Sequence, residues 1–438
     1  IFCLEVSLMN SKVLKGGKIV DVVSEKIFVA DVKIEDGKRA EVGQSLTAEE
    51  TIDCKGMLVS PGLIDLHVHL REPGFEHKET IETGVRAAAA GGFTRIYAMP
   101  NTEPPCDNEA SAIYIRQQAD RLGLIRVEPV GSISQGRKGE FLAEMGGLAR
   151  AGVKMVTDDG NPVYSASLML LALKYSKAFG MLVADHCEDK SISANGICNE
   201  GYFSTLYGLH AWPKSAEETI VSRDIILAGE TDSRIHIMHI STKFSAQLIA
   251  QAKSMGIKAT CEVTPHHLTL TDELLGDYNT NWKVNPPLRS KEDIEALRKA
   301  LADGIIDCIA TDHAPHARED KEVEINIAPP GISGLETAVG QLFTELVNKG
   351  AISPEKLLSR MTVGPANVIG LETPEIKAGK SADITIIDPN SKWTVEPKKF
   401  FSLGHNTPLA GKTMTGKVHA TICCGKVVYL DGQIQKGM

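Results

Sequence analysis

Short apolar runs alternate with segments of helical periodicity along residues 62–370. The helical segments, such as TKFSAQLIAQAKSMG, carry apolar residues at spacings of three and four, which places them on one helix face. The apolar runs predict eight strands: Leu63–His69, Thr94–Met99, Arg126–Val130, Val153–Thr157, Met181–His186, Arg234–Ile240, Lys258–Val263 and Ile305–Thr311. Eight strand–helix repeats are typical of an α/β protein with a (β/α)8 TIM-like barrel. An open doubly wound sheet is the alternative, although no GxGxxG follows the first strand.

The two ends of the chain follow a different pattern. Alternating apolar runs broken by Gly occupy residues 9–61, as in KIFVADVKIED, and residues 371–438, as in GKVHATICCGKVVYLDGQI. This alternation predicts β-strands. We therefore expect both ends to build one small β-sandwich domain beside a barrel of residues 62–370. Residues 1–8 precede Met9 and are expected to be a non-native or disordered extension.

Composition and charge narrow the class of protein. The 438 residues are 42% hydrophobic and 24% charged, as in a globular protein with a sizeable core. The net charge of −9 argues against nucleic acid or an anionic membrane as the main partner. No apolar stretch approaches the roughly 20 residues that span a bilayer. Nine cysteines without CxxC spacing fit a reducing compartment, so we expect a cytoplasmic protein.

Polar side chains stand at the carboxyl ends of the predicted strands, where the functional residues of such barrels collect. The ends of the first, fourth, fifth, sixth and eighth strands carry His67 and His69, Asp158 and Asp159, His186, His239, and Asp312 with His313 and His316. A lone histidine at a strand end is usually a capped or solvated residue. Nitrogen and oxygen ligands from five strand ends, without a thiolate, are instead typical of a catalytic zinc site or a pair of sites.

Several motifs make the chain resemble a known family: HLREPG, AMPNT, TDDG, HCED, NPPLR and ATDHAPH. They are similar to those of the amidohydrolase superfamily and, within it, of dihydroorotases of the long-chain bacterial type. The resemblance extends from Met9 to the end of the chain. It implies a hydrolase of pyrimidine biosynthesis that interconverts dihydroorotate and N-carbamoyl-aspartate. It also implies two divalent cations, Zn²⁺ by ligand type, with a shared hydroxide as nucleophile.

The resemblance assigns metal ligands position by position. Six residues match ligands of the family: His67, His69, Asp159, His186, His239 and Asp312. Asp312 matches the aspartate that acts as general base and then as general acid. Asp159 matches the aspartate that bridges the two metals in many long-chain forms. Two alternatives stay open for the bridge, namely the neighbouring Asp158 and a carbamylated Lys154.

Six further residues match substrate contacts of the family: Arg71, Asn101, Asn285, His316, Pro330 and Gly331. The substrate carries a carboxylate that takes no part in the chemistry, and a planar guanidinium can bind it with two parallel hydrogen bonds. Simpler roles are a surface salt bridge of Arg71 with Glu72 or Glu76, and a turn-capping role for Asn101.

Two other functions stay open. Allantoinases and dihydropyrimidinases or hydantoinases share the barrel and the HxH motif, although we do not expect their substrates to need Arg71 and Asn101. A non-catalytic scaffold would typically have lost metal ligands, and here the set is complete. The expected partner is a small-molecule substrate, and the resemblance adds a homodimer and association with aspartate carbamoyltransferase.

Overall fold

A computed structural model describes residues 11–435, and the predicted extension of residues 1–8 lies outside them. The strands of the described residues are β1 (Lys12–Asp21), β2 (Lys26–Glu35), β3 (Lys38–Gly43), β4 (Glu50–Asp53), β5 (Leu58–Pro61), β6 (Leu63–Val68), β7 (Phe93–Ala98), β8 (Arg126–Pro129), β9 (Met155–Val156), β10 (Leu182–Asp185), β11 (Cys198–Asn199), β12 (Ala211–Trp212), β13 (Ile235–Ile237), β14 (Ala259–Val263), β15 (Cys308–Ile309), β16 (Ile384–Thr394), β17 (Thr413–Cys423), β18 (Lys426–Leu430) and β19 (Gln433–Ile434).

The α-helices are α1 (Ile81–Ala90), α2 (Glu109–Leu122), α3 (Met145–Arg150), α4 (Ala166–Lys177), α5 (Lys190–Ser193), α6 (Tyr202–Tyr207), α7 (Ser215–Thr231), α8 (Lys243–Ser254), α9 (Lys291–Ala302), α10 (Arg318–Lys321), α11 (Ala338–Leu342), α12 (Pro354–Arg360) and α13 (Val363–Ile369). A π-helical turn over Phe343–Val347 continues α11. None of the helices within residues 11–435 is both long and apolar enough to cross a membrane.

Eight parallel strands close into a barrel. They pair in the orders β6-β7-β8 and β9-β10-β13-β14-β15. Isolated parallel bridges join the two groups, Gly131 with Val156 on one side and Val68 with His313 on the other. All eight predicted strands are present, so the barrel is confirmed and the open doubly wound sheet is wrong. Some strands are shorter than predicted, such as the two-residue β9, because the chain leaves the hydrogen-bonded ladder to form the loops.

Both ends of the chain contribute to one nine-stranded sheet, in the order β19-β18-β17-β16-β5-β1-β2-β3 with β4 beside β1. The two ends meet at β5, which pairs in parallel with β1 and antiparallel with β16. Hydrogen bonds also join the edge at β3 to the segment just before β16: the amide of Arg39 donates to Lys380 O (3.0 Å) and that of Ala382 to Gly37 O (3.0 Å). Side chains from both ends fill its core. The expected sandwich of both ends is confirmed, while its exact domain bounds stay a prediction.

The amino ends of the barrel strands are filled by packing. Ile64 and Leu66 of β6 pack with Met155 and Leu182 of neighbouring strands and with α13. The amide of Ile64 also donates to Met361 O (2.9 Å), just before α13. Because α13 covers this end, the carboxyl ends of the strands are the ones free to carry a site.

Candidate active site

Two histidines at the end of the first barrel strand face two aspartates, Asp312 beyond the neighbouring strand β15 and Asp159 beyond β9. His67 Nε2 lies 3.5 Å from Asp159 Oδ1 and 3.4 Å from Asp312 Oδ1. His69 Nε2 lies 3.1 Å from Asp312 Oδ1 and 3.5 Å from Asp159 Oδ2. All four side chains are buried. Barrel closure therefore brings strand ends together that are more than 240 residues apart in the chain.

The other two predicted histidines complete the cluster. His186 Nδ1 and His239 Nε2 are 2.9 Å apart. They lie 3.8 Å and 3.7 Å from Asp159 Oδ1. The Asp159 carboxylate thus stands between the two histidine pairs and approaches all four rings. The structure brings all six predicted ligands together.

The donors of this cluster fit divalent cations. His67, His69 and Asp312 offer ligand atoms within 4.8 Å of one another, and so do His67, Asp159 and His239. The buried His67 Nε2 faces these carboxylates and has no hydrogen-bond partner among the described residues. A buried imidazole nitrogen that makes no hydrogen bond is suited to bind a metal ion. The absence of thiolates among the described cluster residues favours a catalytic site over a structural one.

Charge pairing dominates the electrostatics of the cluster. Burial lowers the pKa of His67, but the carboxylates of Asp159 and Asp312 raise it well above its usual value. Burial likewise raises the pKa of Asp159, yet His67 and His239 bring it well below the usual range. The carboxylates are therefore ionised, and the cluster offers negative charge to a cation.

The two alternative bridging residues lie elsewhere. The Asp158 carboxylate accepts hydrogen bonds from the amides of Ile133 (2.9 Å) and Ser134 (3.0 Å) and from the Ser134 hydroxyl. Lys154 is exposed to solvent. Asp158 is thus a turn residue that binds backbone amides, and of the three candidates the structure brings only Asp159 into the cluster.

Three residues of the site adopt left-handed backbone conformations, with φ of 61° at Arg71, 30° at His239 and 48° at Asp312. Such values are uncommon for residues other than glycine and cost of order 1–3 kcal/mol each. They persist where surrounding contacts hold the backbone, and they cluster at functional sites. Here each one sits at or just beyond the end of a barrel strand and turns its side chain into the site.

A cavity of about 200 Å³ opens above the cluster. All six predicted substrate contacts line it: Arg71, Asn101, Asn285, His316, Pro330 and Gly331. Five of the six cluster residues line it as well, the exception being the more deeply buried His67. The predicted ligand set and the predicted substrate set therefore share one pocket.

Arg71 does not form the surface salt bridge that we considered. Its Nε donates to Pro315 O (3.2 Å), and no carboxylate within residues 11–435 forms an ion pair with it. Glu72 instead accepts from the Ile81 amide, and Glu76 accepts from the Gly74 amide. Burial lowers the pKa of Arg71 to about 10, which leaves it charged at neutral pH. The cavity thus contains a cationic fork that can receive an anion.

The amide side chains make contacts within the site. Asn101 Oδ1 lies 2.9 Å from His69 Nδ1, so Asn101 orients a ring of the cluster instead of capping a turn. Asn285 Nδ2 donates to Glu188 Oε2 (3.3 Å), and its Oδ1 has no partner among the described residues. His316 Nε2 donates to Pro330 O (2.9 Å). Burial, followed by the charge of Arg71, lowers the pKa of His316 to about 2, which keeps it neutral.

Sequence reasoning missed two glutamates that hold the rings. Glu262 of β14 lies 2.9 Å from His67 Nδ1 through Oε1 and 3.1 Å from His236 Nε2 through Oε2. Glu188 Oε2 lies 3.0 Å from His186 Nε2. Burial raises the pKa of each, but the histidine contacts lower both to about 2. The sequence did carry one indication of Glu262, since it is a charged residue within the otherwise uncharged run of β14.

We expect Glu262→Gln to weaken metal binding by about 10- to 100-fold, because the carboxylate that fixes the His67 ring is lost. Isothermal titration calorimetry with the metal ion measures the change in affinity. Glu128→Gln is the matched control, since Glu128 lies on β8 and pairs with Arg95 and Arg116 instead. Unchanged affinity in a folded Glu262→Gln protein would show that Glu262 does not position the site.

Two buried lysines hold the loop that carries Pro330 and Gly331. Lys283 Nζ donates to Ile325 O (2.8 Å) and Asn326 O (3.0 Å). Lys321 Nζ donates to Pro329 O (2.8 Å), and burial lowers its pKa to about 7. Neither lysine was recognised from the sequence, because a lysine in a loop is ordinarily a solvated residue.

Comparison with known proteins gives relatives over nearly the whole chain. A family model described as dihydro-orotase-like matches residues 56–245, and one for the amidohydrolase family matches residues 222–429. A dihydroorotase of Pelotomaculum thermopropionicum is 52% identical over 96% of this chain and 99% of its own length. A dihydroorotase of Acetivibrio thermocellus is 47% identical over 95% of this chain and 99% of its own.

Solved structures show the same fold. An L-hydantoinase (dihydropyrimidinase) from Arthrobacter aurescens superposes with a TM-score of 0.87 at 28% identity, covering 98% of both chains. A D-hydantoinase superposes with a TM-score of 0.84 at 25% identity, covering 97% of this chain and 96% of its own. The fold is thus shared with hydantoinases, whereas sequence identity is higher to the two dihydroorotases.

Proposed function

This chain belongs to the dihydroorotase family of the amidohydrolases, and we propose that it catalyses the reversible hydrolysis of (S)-dihydroorotate to N-carbamoyl-L-aspartate. It is a hydrolase of cyclic amides. The observation that carries the choice of substrate is Arg71, whose charged side chain faces the cavity beside the cluster without a carboxylate partner among the described residues. A hydantoin lacks the carboxylate that would complete this pair, so the geometry favours dihydroorotate over the substrates of the structurally similar hydantoinases.

The cofactors in this proposal are two divalent cations, Zn²⁺ by ligand type. His67, His69 and Asp312 would hold one, His186 and His239 the other, and Asp159 would contact both. When bound, such cations lower the pKa of water to about 7 and polarise a carbonyl oxygen. The buried His67 Nε2 that lacks a partner, together with the position of Asp159 between the ring pairs, supports this assignment.

In the proposed reaction, Asp312 transfers the proton. Burial raises the pKa of its carboxyl, but the charges of His67 and His69 lower it far below the usual range, so it is ionised and able to accept a proton. It lines the cavity and can take a proton from the attacking water as general base. As general acid it then gives that proton to the departing ring nitrogen.

The remaining lining residues would bind and orient the substrate. Arg71, with Asn101 and His316 beside it, would receive the carboxylate. Asn285 has a free Oδ1 that can accept from the ring N–H, and the backbone at Pro330 and Gly331 borders the same space. These contacts would hold the substrate ring at a fixed distance and orientation from the cluster, which lowers the entropic part of the reaction barrier.

The test is an assay of purified protein with dihydroorotate and with hydantoin, combined with metal analysis of the same sample. We expect about two metal equivalents per chain, and loss of activity on chelation that zinc restores. The ratio kcat/KM should be at least about 100-fold higher for dihydroorotate, since an unpaired buried Arg71 penalises hydantoin. Preference for hydantoin would replace this function by that of a hydantoinase, and a metal-free inactive protein would support a scaffold.

The finer predictions about cell biology follow from the resemblance. We propose that the protein is cytoplasmic, forms a homodimer and associates with aspartate carbamoyltransferase. Size-exclusion chromatography of the enzyme alone tests the homodimer, and the same experiment on a mixture with the transcarbamoylase tests the association. Division into a barrel of residues 62–370 and a composite end domain is likewise proposed.

A further inference from the structure

A second cavity, of about 290 Å³, lies where the barrel meets the terminal sheet. It shares no lining residue with the cavity above the metal-ligand cluster. Its walls come from the end of α1, from α11 and from β16, β17 and β18. Four aromatic residues line it: Trp393, Phe400, Phe401 and Tyr429. Neither the proposed reaction nor the comparisons give this cavity a role.

A carboxyl group without a counter-charge faces this cavity. Glu336 Oε1 accepts hydrogen bonds from the amides of Phe401 (2.9 Å) and Ser402 (3.2 Å). No lysine, arginine or histidine among residues 11–435 forms an ion pair with Glu336. Burial, opposed by these two hydrogen bonds, raises the pKa of Glu336 to about 8. A carboxyl that is kept from water without a cation therefore stays protonated at neutral pH, and a cation bound beside it would favour its ionised form.

The aromatic lining suits a cation with an apolar body. The Trp393 ring is held by its Nε1–H, which donates to Gly416 O (3.0 Å). It packs closely on Gly340, where a Cβ would come within 2.8 Å of the ring. Phe401 and Tyr429 meet edge to face with centroids 6.4 Å apart. Aromatic faces attract ammonium and guanidinium groups, and more strongly where water is displaced.

The basic residues of the lining do not fill the role of the missing cation. Lys399 is paired with Glu396 at 2.8 Å, and both are exposed. Lys417 is also exposed and lies on β17 opposite Asp388 of β16. The inner wall therefore carries the carboxyl, whereas the lysines stand on the exposed rim.

We propose that this second cavity binds a small organic cation, a primary ammonium on an aromatic or apolar body, with the ammonium against Glu336 and the body among the four aromatic rings. The positive charge of the ligand favours the ionised form of Glu336, whose proton passes to solvent when the ligand binds. Its apolar part displaces water from the rings. The site is separate from the proposed reaction and does not depend on it.

The test uses benzylamine as the cationic probe and benzyl alcohol as its uncharged counterpart, with isothermal titration calorimetry on the full chain. We expect saturable 1:1 binding of benzylamine that is at least about 10-fold tighter than that of benzyl alcohol, because charged hydrogen bonds and cation–π contacts exist for the amine alone. Glu336→Gln should remove this 10-fold preference. Glu396→Gln, the same change at an exposed carboxylate of the rim, should keep the affinity within twofold.

Glu336→Gln retains an oxygen that can accept from the amides of Phe401 and Ser402, so its thermal midpoint should stay near that of the unchanged protein. The comparison of the two probes on the unchanged protein requires no variant and decides the matter even if Glu336→Gln does not fold. Equal affinity for both probes, no saturable binding, or full benzylamine affinity in Glu336→Gln would overturn the proposal. Dihydroorotate at saturation should leave benzylamine binding unchanged, whereas competition would place the amine in the other cavity and also overturn it.

Discussion

Replacing Asp312 with Asn will nearly abolish turnover of dihydroorotate while the metal content stays close to that of the unchanged protein. An asparagine is nearly isosteric and keeps an oxygen near His69 Nε2, where Asp312 Oδ1 now lies at 3.1 Å. It cannot accept and release a proton in the way that a carboxylate does. Loss of general acid–base catalysis costs about 10²- to 10⁴-fold, so we expect kcat to fall by this range.

The measurement combines steady-state kinetics with metal analysis of the same preparation. Asp303→Asn is the matched control, because Asp303 is an exposed aspartate that follows α9 and pairs only with Lys299 among the described residues. It should retain full activity. Near-normal kcat in Asp312→Asn would refute the role of Asp312 in proton transfer, and loss of metal together with activity would make it a ligand alone.

Replacing Arg71 with Met will lower kcat/KM for dihydroorotate by about 30- to several thousand-fold. Truncating one partner of a buried charged pair costs about 2–5 kcal/mol, which converts to this range at 1.4 kcal/mol per tenfold. Met keeps the apolar stem and removes the fork that would bind the substrate carboxylate. Part of the effect should appear as a higher KM, since the carboxylate is bound before the chemistry begins.

Arg86→Met is the control for this prediction, because Arg86 is a partly exposed arginine of α1 that pairs with Glu82. It should leave kcat/KM unchanged. Any residual turnover of hydantoin should be far less sensitive to Arg71→Met than that of dihydroorotate, which separates loss of carboxylate binding from general damage. Equal losses for both substrates would mean that Arg71 supports the loop through Pro315 O and does not recognise the carboxylate.

The candidate site was largely foreseeable because its residues stand at recognisable positions. His67, His69, His186, His239 and Asp312 each follow an apolar run, and the carboxyl ends of barrel strands converge. The substrate contacts could be named only through the resemblance, since Pro330 and Gly331 act through a backbone that has no signature of its own. Glu262 and Glu188 were missed because the residues next to them in the sequence do not indicate which histidine ring each glutamate contacts in the fold.

The sequence by itself determined the architecture of this protein: eight strand–helix repeats with polar strand ends between two β-rich termini. Such features follow from residue type and periodicity, which act over a few residues. Only the tertiary structure decided that Asp159 enters the cluster while Asp158 turns to Ser134, and that Arg71 is left without a carboxylate partner among the described residues. It also decided that Glu336 faces a second cavity. These outcomes depend on register, barrel closure and contacts between residues far apart in the chain, where a shift of one residue reverses the direction of a side chain.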